Sequence, residues 1–178
     1  MKKITLLAAG LAAVAAVPAS AQSLTYNLNA QVAPSCGVYN PSGSTIPVDF
    51  GELAGVSTSA TVNVDAGEAT YRCNSANGFS RSITSQNGGY LTLDGAPTTD
   101  PARRIRFNMA HTGNSGLAFG AQQLTSAVSG TFAGSTAFLA GETGNVSFQA
   151  FGVQSASSGT TVFSGNYRDT VTITVTAN

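Results

Sequence analysis

From Thr170 to Thr176 the chain alternates without a break: Val171, Ile173 and Val175 point one way, and Thr170, Thr172, Thr174 and Thr176 point the other. Period-two alternation of β-branched residues specifies a strand with one buried face and one wet face. The turn Gly165-Asn166-Tyr167-Arg168-Asp169 leads into it, and only Ala177 and Asn178 follow. A strand this regular wants a neighbour on each flank, because an edge of unpaired backbone groups invites another chain. The expectation is that this chain does not supply that neighbour itself. A second clean alternation lies near the other end, where Leu24, Tyr26, Leu28, Ala30 and Val32 alternate with Thr25, Asn27, Asn29 and Gln31. One end has the pattern of a strand acceptor and the other that of a donor.

What precedes the second alternation has the form of an export leader. Lys2 and Lys3 form a positive start, Ile4 to Val17 an apolar stretch, and Ala19-Ser20-Ala21 a small-residue cleavage site. The apolar stretch is shorter than the roughly 20 residues of a membrane span, and Pro18 interrupts it. Cleavage after Ala21 is expected to leave residues 22–178, with no integral membrane segment.

Both lysines of the chain sit in that leader, so residues 22–178 carry six arginines, eight carboxylates and no lysine. A net charge near −2 supplies no electrostatic reason to bind nucleic acid or an anionic membrane. Without lysine, no Lys–Asn isopeptide staple and no lysine-linked polymer can form, so any assembly must be non-covalent. The two cysteines, Cys36 and Cys73, are expected to form one disulfide in an exported chain. Closing a loop of 37 residues stabilises by about 4 kcal/mol in the chain-entropy model. A metal pair lacks supporting ligands, since His111 is the only histidine and no C-x-x-C is present. No cofactor is expected.

Short apolar runs recur between turn signals, and no 12-residue stretch shows a helical period. Strands are predicted at 24–32, 46–50, 59–65, 68–73, 80–85, 89–93, 103–109, 128–133, 145–153 and 169–176. Clusters such as Asn40-Pro41-Ser42-Gly43, Asn77-Gly78, Asn87-Gly88-Gly89 and Ser157-Ser158-Gly159 separate them. This spacing predicts one all-β domain, a sandwich or a barrel. The stretch 111–144, rich in Gly, Ser and Ala, is the hardest to place. Leu117, Phe119, Leu124, Phe132, Phe138 and Leu139 provide it with side chains to bury.

Nothing in the chain organises into catalysis. His111 stands beside Thr112-Gly113-Asn114-Ser115-Gly116, with no G-x-S-x-G, and is expected to be a solvated residue at a strand end. Asp65 with Glu68, and Asp94 with Asp100, show no spacing that would by itself make a glycosidase pair. Asp49, Asp94 and Asp100 lack the spacing of a Ca²⁺ loop. Arg103, Arg104 and Arg106 form the only basic cluster; Ile105, Phe107 and Met109 alternate with Arg104, Arg106 and Asn108, as on a strand with one wet face. A contact to an anionic sugar or a neighbouring subunit is the functional alternative.

The chain resembles the spore coat protein U domain family, which it shares with subunits of the archaic class of chaperone–usher pili. The residues carrying the resemblance are the leader, the alternation at 24–32, Pro34-Ser35-Cys36, Asp49-Phe50-Gly51-Glu52-Leu53, Tyr71-Arg72-Cys73, and the closing run from Gly165 to Val175. The match departs most over roughly 100–140. The resemblance implies an immunoglobulin-like β-sandwich lacking its last strand, over 34–178, preceded by a donor-strand extension over 22–33. It implies an acceptor groove beside Tyr167, Val171, Ile173 and Val175, filled by a periplasmic chaperone and then by the extension of another subunit, with Leu24, Tyr26, Leu28, Ala30 and Val32 as its plugs. The partners so implied are copies of this chain or related pilus subunits, the chaperone and an outer-membrane usher, and the destination is a fibre at the cell surface that supports adhesion or biofilm formation. Two other readings fit an exported β-protein: a non-polymerising carbohydrate-binding sandwich, and a small outer-membrane β-barrel. The absence of tryptophan argues against the barrel.

Overall fold

Alternating segments become two main antiparallel sheets and a short two-stranded one in the computed structural model, which describes residues 22–178. The leader features at Lys2, Lys3 and Ala19-Ser20-Ala21 lie outside the described residues. The chain divides into two units after Val32. In the first, residues 22–32 form no strand, and Leu24, Tyr26, Leu28 and Val32 are between 76% and 90% exposed. The strand predicted at 24–32 is therefore not formed: alternation prepares a segment for a ladder, but the ladder's hydrogen bonds need a partner strand.

In the second unit, the large sheet runs in the order β1 (Cys36–Tyr39), β2 (Thr61–Cys73), β8 (Glu142–Phe151), β5 (Arg104–His111), β4 (Tyr90–Leu93), β11 (Tyr167–Arg168), and β6 (Phe119–Gln122) pairs with β5. The small sheet has the order β12 (Val171–Ala177), β3 (Phe79–Ser85), β7 (Val128–Phe132). A short ladder joins β9 (Gln154–Ser155) to β10 (Gly159–Thr160), and one helix, α1 (Thr136–Ala140), is capped by the Ser135 side chain. The architecture is an all-β sandwich. Its sheets have ends, unlike the closed sheet of a barrel.

Two predicted strands, 59–65 and 68–73, are one. β2 runs through Ala66 and Gly67 by a bulge opposite β8, where the Gly67 N–H donates to the Asp65 carboxylate at 2.8 Å and Gly67 takes a positive φ of 83°. The strand predicted at 46–50 is absent, and β6, β9, β10 and β11, all of four residues or fewer, fell below what periodicity can register. At the hinge from the large sheet to the small one, Gly78 has φ 76°, and a Cβ there would lie 1.8 Å from the Phe132 carbonyl oxygen.

The core lies between the sheets. Tyr71, Phe79, Ile83, Phe107, Met109, Leu117 and Leu124 are almost wholly buried, and Phe79 stacks on Phe132 while meeting Phe138 edge-on. Leu117, Leu124, Phe132 and Phe138 thus anchor the stretch 111–144, whereas Leu139 on α1 is exposed. Arg104 and Arg106 alternate with buried Ile105, Phe107 and Met109, as the wet-face reading of β5 expected.

Candidate functional site

β12 pairs with β3 on one flank only and ends its sheet. Its register sets Ile173 opposite Ile83 and Val175 opposite Arg81, so Val171, Ile173 and Val175 face the main core. Those three stay half-buried, while the threonines between them are exposed. At Val171 and Ile173 the half-burial has a structural cause, whereas Val175, expected beside them, does not line the groove. A groove of about 650 Å³ opens here, with Val171, Thr172 and Ile173 on one wall and Val38 and Tyr39 of β1 on the other. Phe107 and Met109 of β5, Val146 and Phe148 of β8, and Ala69 of β2 also line it, with Val48, Phe50 and Leu91. Alternation marks the inward face of β12, to which Val171 and Ile173 belong. It does not mark the rest of the lining, because those side chains come from strands whose pairing no local pattern reveals.

The groove combines an open backbone edge with an apolar lining. The unpaired flank of β12 can hydrogen-bond one more strand, and the lining can take alternate side chains of that strand. Asp169, which leads into β12, is half-buried: its carboxylate accepts from Ser85 Oγ at 2.5 Å and from the Asn87 backbone N–H at 2.9 Å. Burial pushes the Asp169 pKa up, and these hydrogen bonds act against that rise. The Asp169 contacts tie the entry of β12 to the turn that ends β3.

Val48, Phe50, Leu91 and Asp169 also line a second hollow of about 870 Å³, walled further by Leu53, Ile105, Val153, Val162 and Tyr167. Tyr167 belongs to this second hollow rather than to the groove beside β12, because it sits on β11 and pairs with Leu93 of the large sheet. Its hydroxyl lies 2.7 Å from the Phe163 carbonyl and 3.3 Å from that of Ala102, the upstream backbone bonding expected of a tyrosine corner. Burial pushes the Tyr167 pKa up.

Cys36 and Cys73 are bridged, directly opposite each other on adjacent strands β1 and β2. Asn74 continues the lock beyond the strands: its Oδ1 accepts from Ser35 N–H at 2.6 Å and its Nδ2 donates to the Ala33 carbonyl at 3.0 Å.

His111 is not solvated. It is 1% exposed, with Nδ1 bonded to the Thr112 carbonyl and Nε2 3.0 Å from the Tyr71 hydroxyl. The carbonyl fixes the proton on Nδ1, so Nε2 accepts from Tyr71. Arg81 lies beside this pair, 4% exposed, donating to the Leu117 carbonyl at 2.9 Å and facing the rings of Tyr71, Phe119 and Phe132 at 5.7, 5.6 and 5.1 Å. Alternation in Phe79-Ser80-Arg81-Ser82-Ile83 places Arg81 on the inward face, and that was the signal available for it. Among the described residues no three His, Cys, Asp or Glu gather to hold a metal, and no helix is long and apolar enough to cross a membrane.

Comparison with known families matched residues 22–174 to the Spore Coat Protein U domain. A search of curated proteins returned no match.

Proposed function

This chain belongs to the Spore Coat Protein U domain family, and from that premise we propose that it is a structural subunit of a non-covalent surface pilus, assembled by donor-strand exchange. The family is associated with pilus- or fimbria-type surface subunits. The observation that carries the reading is the unpaired flank of β12 along an apolar groove, in a chain that also holds an exposed, unpaired alternating segment. In the fibre, residues 24–32 of one copy pair with β12 of the next, and their apolar side chains enter its groove. Burying Leu24, Tyr26, Leu28 and Val32 at roughly 1.5–3 kcal/mol each supplies about 6–12 kcal/mol before ordering costs. Before assembly a periplasmic chaperone fills the same groove, and an outer-membrane usher passes the subunit outward. The disulfide fits an oxidising compartment on that route.

The test separates the two faces of the donor. Leu28 lies at the middle of the alternation, where a seated aspartate could not reach water and its carboxylate would be costly to bury. Leu28→Asp should leave a disulfide-bonded, chaperone-bound subunit that does not enter fibres as a donor, and Asn27→Asp should be tolerated. Removing residues 22–33 should likewise spare the chaperone complex and abolish polymerisation. Sheared-fibre yield and chaperone co-purification measure these outcomes. Fibres from Leu28→Asp, or an unfolded deletion variant beside its chaperone, would make 24–32 an ordinary core strand.

A further inference from the structure

We propose that the outward face of the large sheet, at β11, β4 and β5, binds an anionic polysaccharide bearing carboxylates, a polyuronate. The register places Arg168 opposite Thr92 and Thr92 opposite Arg104, so both arginines share one face. Arg106 follows two residues on and faces Tyr90 across the ladder. Strand spacing sets Arg168 about 10 Å from Arg104, and Arg104 about 7 Å from Arg106, measured along the backbone.

Three cations this close repel one another, and the protein does not neutralise them. The sole ion pair among the described residues joins Arg103 to Asp100 at 3.5 Å, leaving Arg104, Arg106 and Arg168 without a carboxylate partner. Asp169, next to Arg168 in the chain, bonds instead to Ser85 and Asn87. The concentration runs against a net charge near −2 for residues 22–178. Two of the guanidiniums are also held on rings: Arg106 lies 3.6 Å from the centroid of Phe151, and Arg104 lies 4.3 Å from that of Tyr90. Stacking fixes the planar fork before any ligand arrives, reducing the side-chain entropy lost when a carboxylate is gripped by two N–H groups.

The surroundings choose among anionic partners. Beside Arg106, the same face continues through Asn108, Gln149 and Asn63, directly opposite one another across β5, β8 and β2. Side-chain amides can donate to and accept from hydroxyls, which a polyuronate carries between its carboxylates. A single-stranded nucleic acid would need free ring faces for its bases, and Tyr90 and Phe151 each have one covered by arginine. A protein partner would need a large apolar anchor at the centre, and this patch has none. The inference is independent of strand exchange, which uses the opposite side of the large sheet.

Affinity electrophoresis of the full exported chain through gels holding polygalacturonate, neutral dextran or duplex DNA tests it. Polygalacturonate should retard the protein, dextran should not, DNA should do so less, and added salt should weaken the effect. Arg104→Gln with Arg106→Gln should reduce affinity about tenfold or more, the worth of one charge-assisted contact. Arg168→Gln alone should reduce it in the same direction, and provides the test if the double variant melts early. Arg72→Gln makes an equal charge change about 35 Å along β2 from the row of Arg106, and should leave retardation intact. Equal retardation by dextran, stronger retardation by DNA, an unchanged double variant, or an equal loss in Arg72→Gln overturns the proposal.

Discussion

At the scale of single residues, the interior of this sandwich holds a cation and an imidazole that its composition does not advertise. Among the described residues Arg81 forms no ion pair; three rings and one carbonyl take the place of a counter-ion, and its Nε has no partner there. His111 shares this pocket, hydrogen-bonded to the hydroxyl of the Tyr71 ring on which Arg81 lies. Burial lowers its pKa from the ordinary 6.5, and the charge of Arg81 lowers it further, while the Thr112 carbonyl acts in the opposite direction. The other neighbours that face it are the Tyr71 hydroxyl and the Phe119 ring, both uncharged, and Gly144, where a Cβ would lie 2.6 Å from the imidazole. Because the folded pKa is depressed, stability is fully present above about pH 6.5 and is lost as pH falls toward the folded value. Urea unfolding from pH 8 down to pH 5 should show a flat region and then a fall in stability that begins near pH 6.5. His111→Gln should flatten that fall, since the chain has no second histidine to titrate there. An undiminished slope in the variant would assign the effect elsewhere. Histidine beside a Gly- and Ser-rich run has the local signature of a surface turn. What overrides it is β5 carrying its alternation two residues further than predicted, to His111 itself, where Tyr71 of β2 meets it.

Among the elements, β12 was the most legible and its surroundings the least. Seven alternating residues define a strand and its two faces without reference to anything else. That it lies at an edge, against β3 and across a groove from β1, depends on pairings between residues 90 or so positions apart, which leave no local trace. The same limit explains why β2 was predicted as two strands: Ala66-Gly67 has the composition of a break, and only the continuous β8 opposite it turns the break into a bulge. Ile173 tests the assignment of faces. It lies opposite fully buried Ile83, so Ile173→Asp should sink a carboxylate into the core at a cost of several kcal/mol and, if the proposed assembly route holds, remove both the folded protein and its capture by a chaperone. Thr174→Asp, on the exposed face, should behave as wild type. A normally folded Ile173→Asp with an unchanged urea midpoint would mean that β12 presents its other face.

For the molecule as a whole, the disulfide and the place where the chain enters the domain coincide. β1 is only four residues long and ends the large sheet, whereas β2, to which it is bridged, is 13 residues long and pairs along most of its length with β8. Cys36→Ser or Cys73→Ser should therefore cost roughly 2–5 kcal/mol, seen as a lowered urea midpoint; an unchanged midpoint would leave the bridge without a stabilising role. In a fibre built by strand exchange, each extension is held by a neighbour and pulls on its own domain at Ala33. Tension entering there meets the Asn74 clamp and then a covalent bond, one residue into β1. A four-residue edge strand held by hydrogen bonds alone would peel from its end one bond at a time. With Cys36 fastened to Cys73, the pull bypasses β1 and arrives at the C-terminal end of a long strand in the interior of a sheet, where many bonds must fail together. Reduced fibres should consequently lengthen and unravel under a force that oxidised fibres withstand.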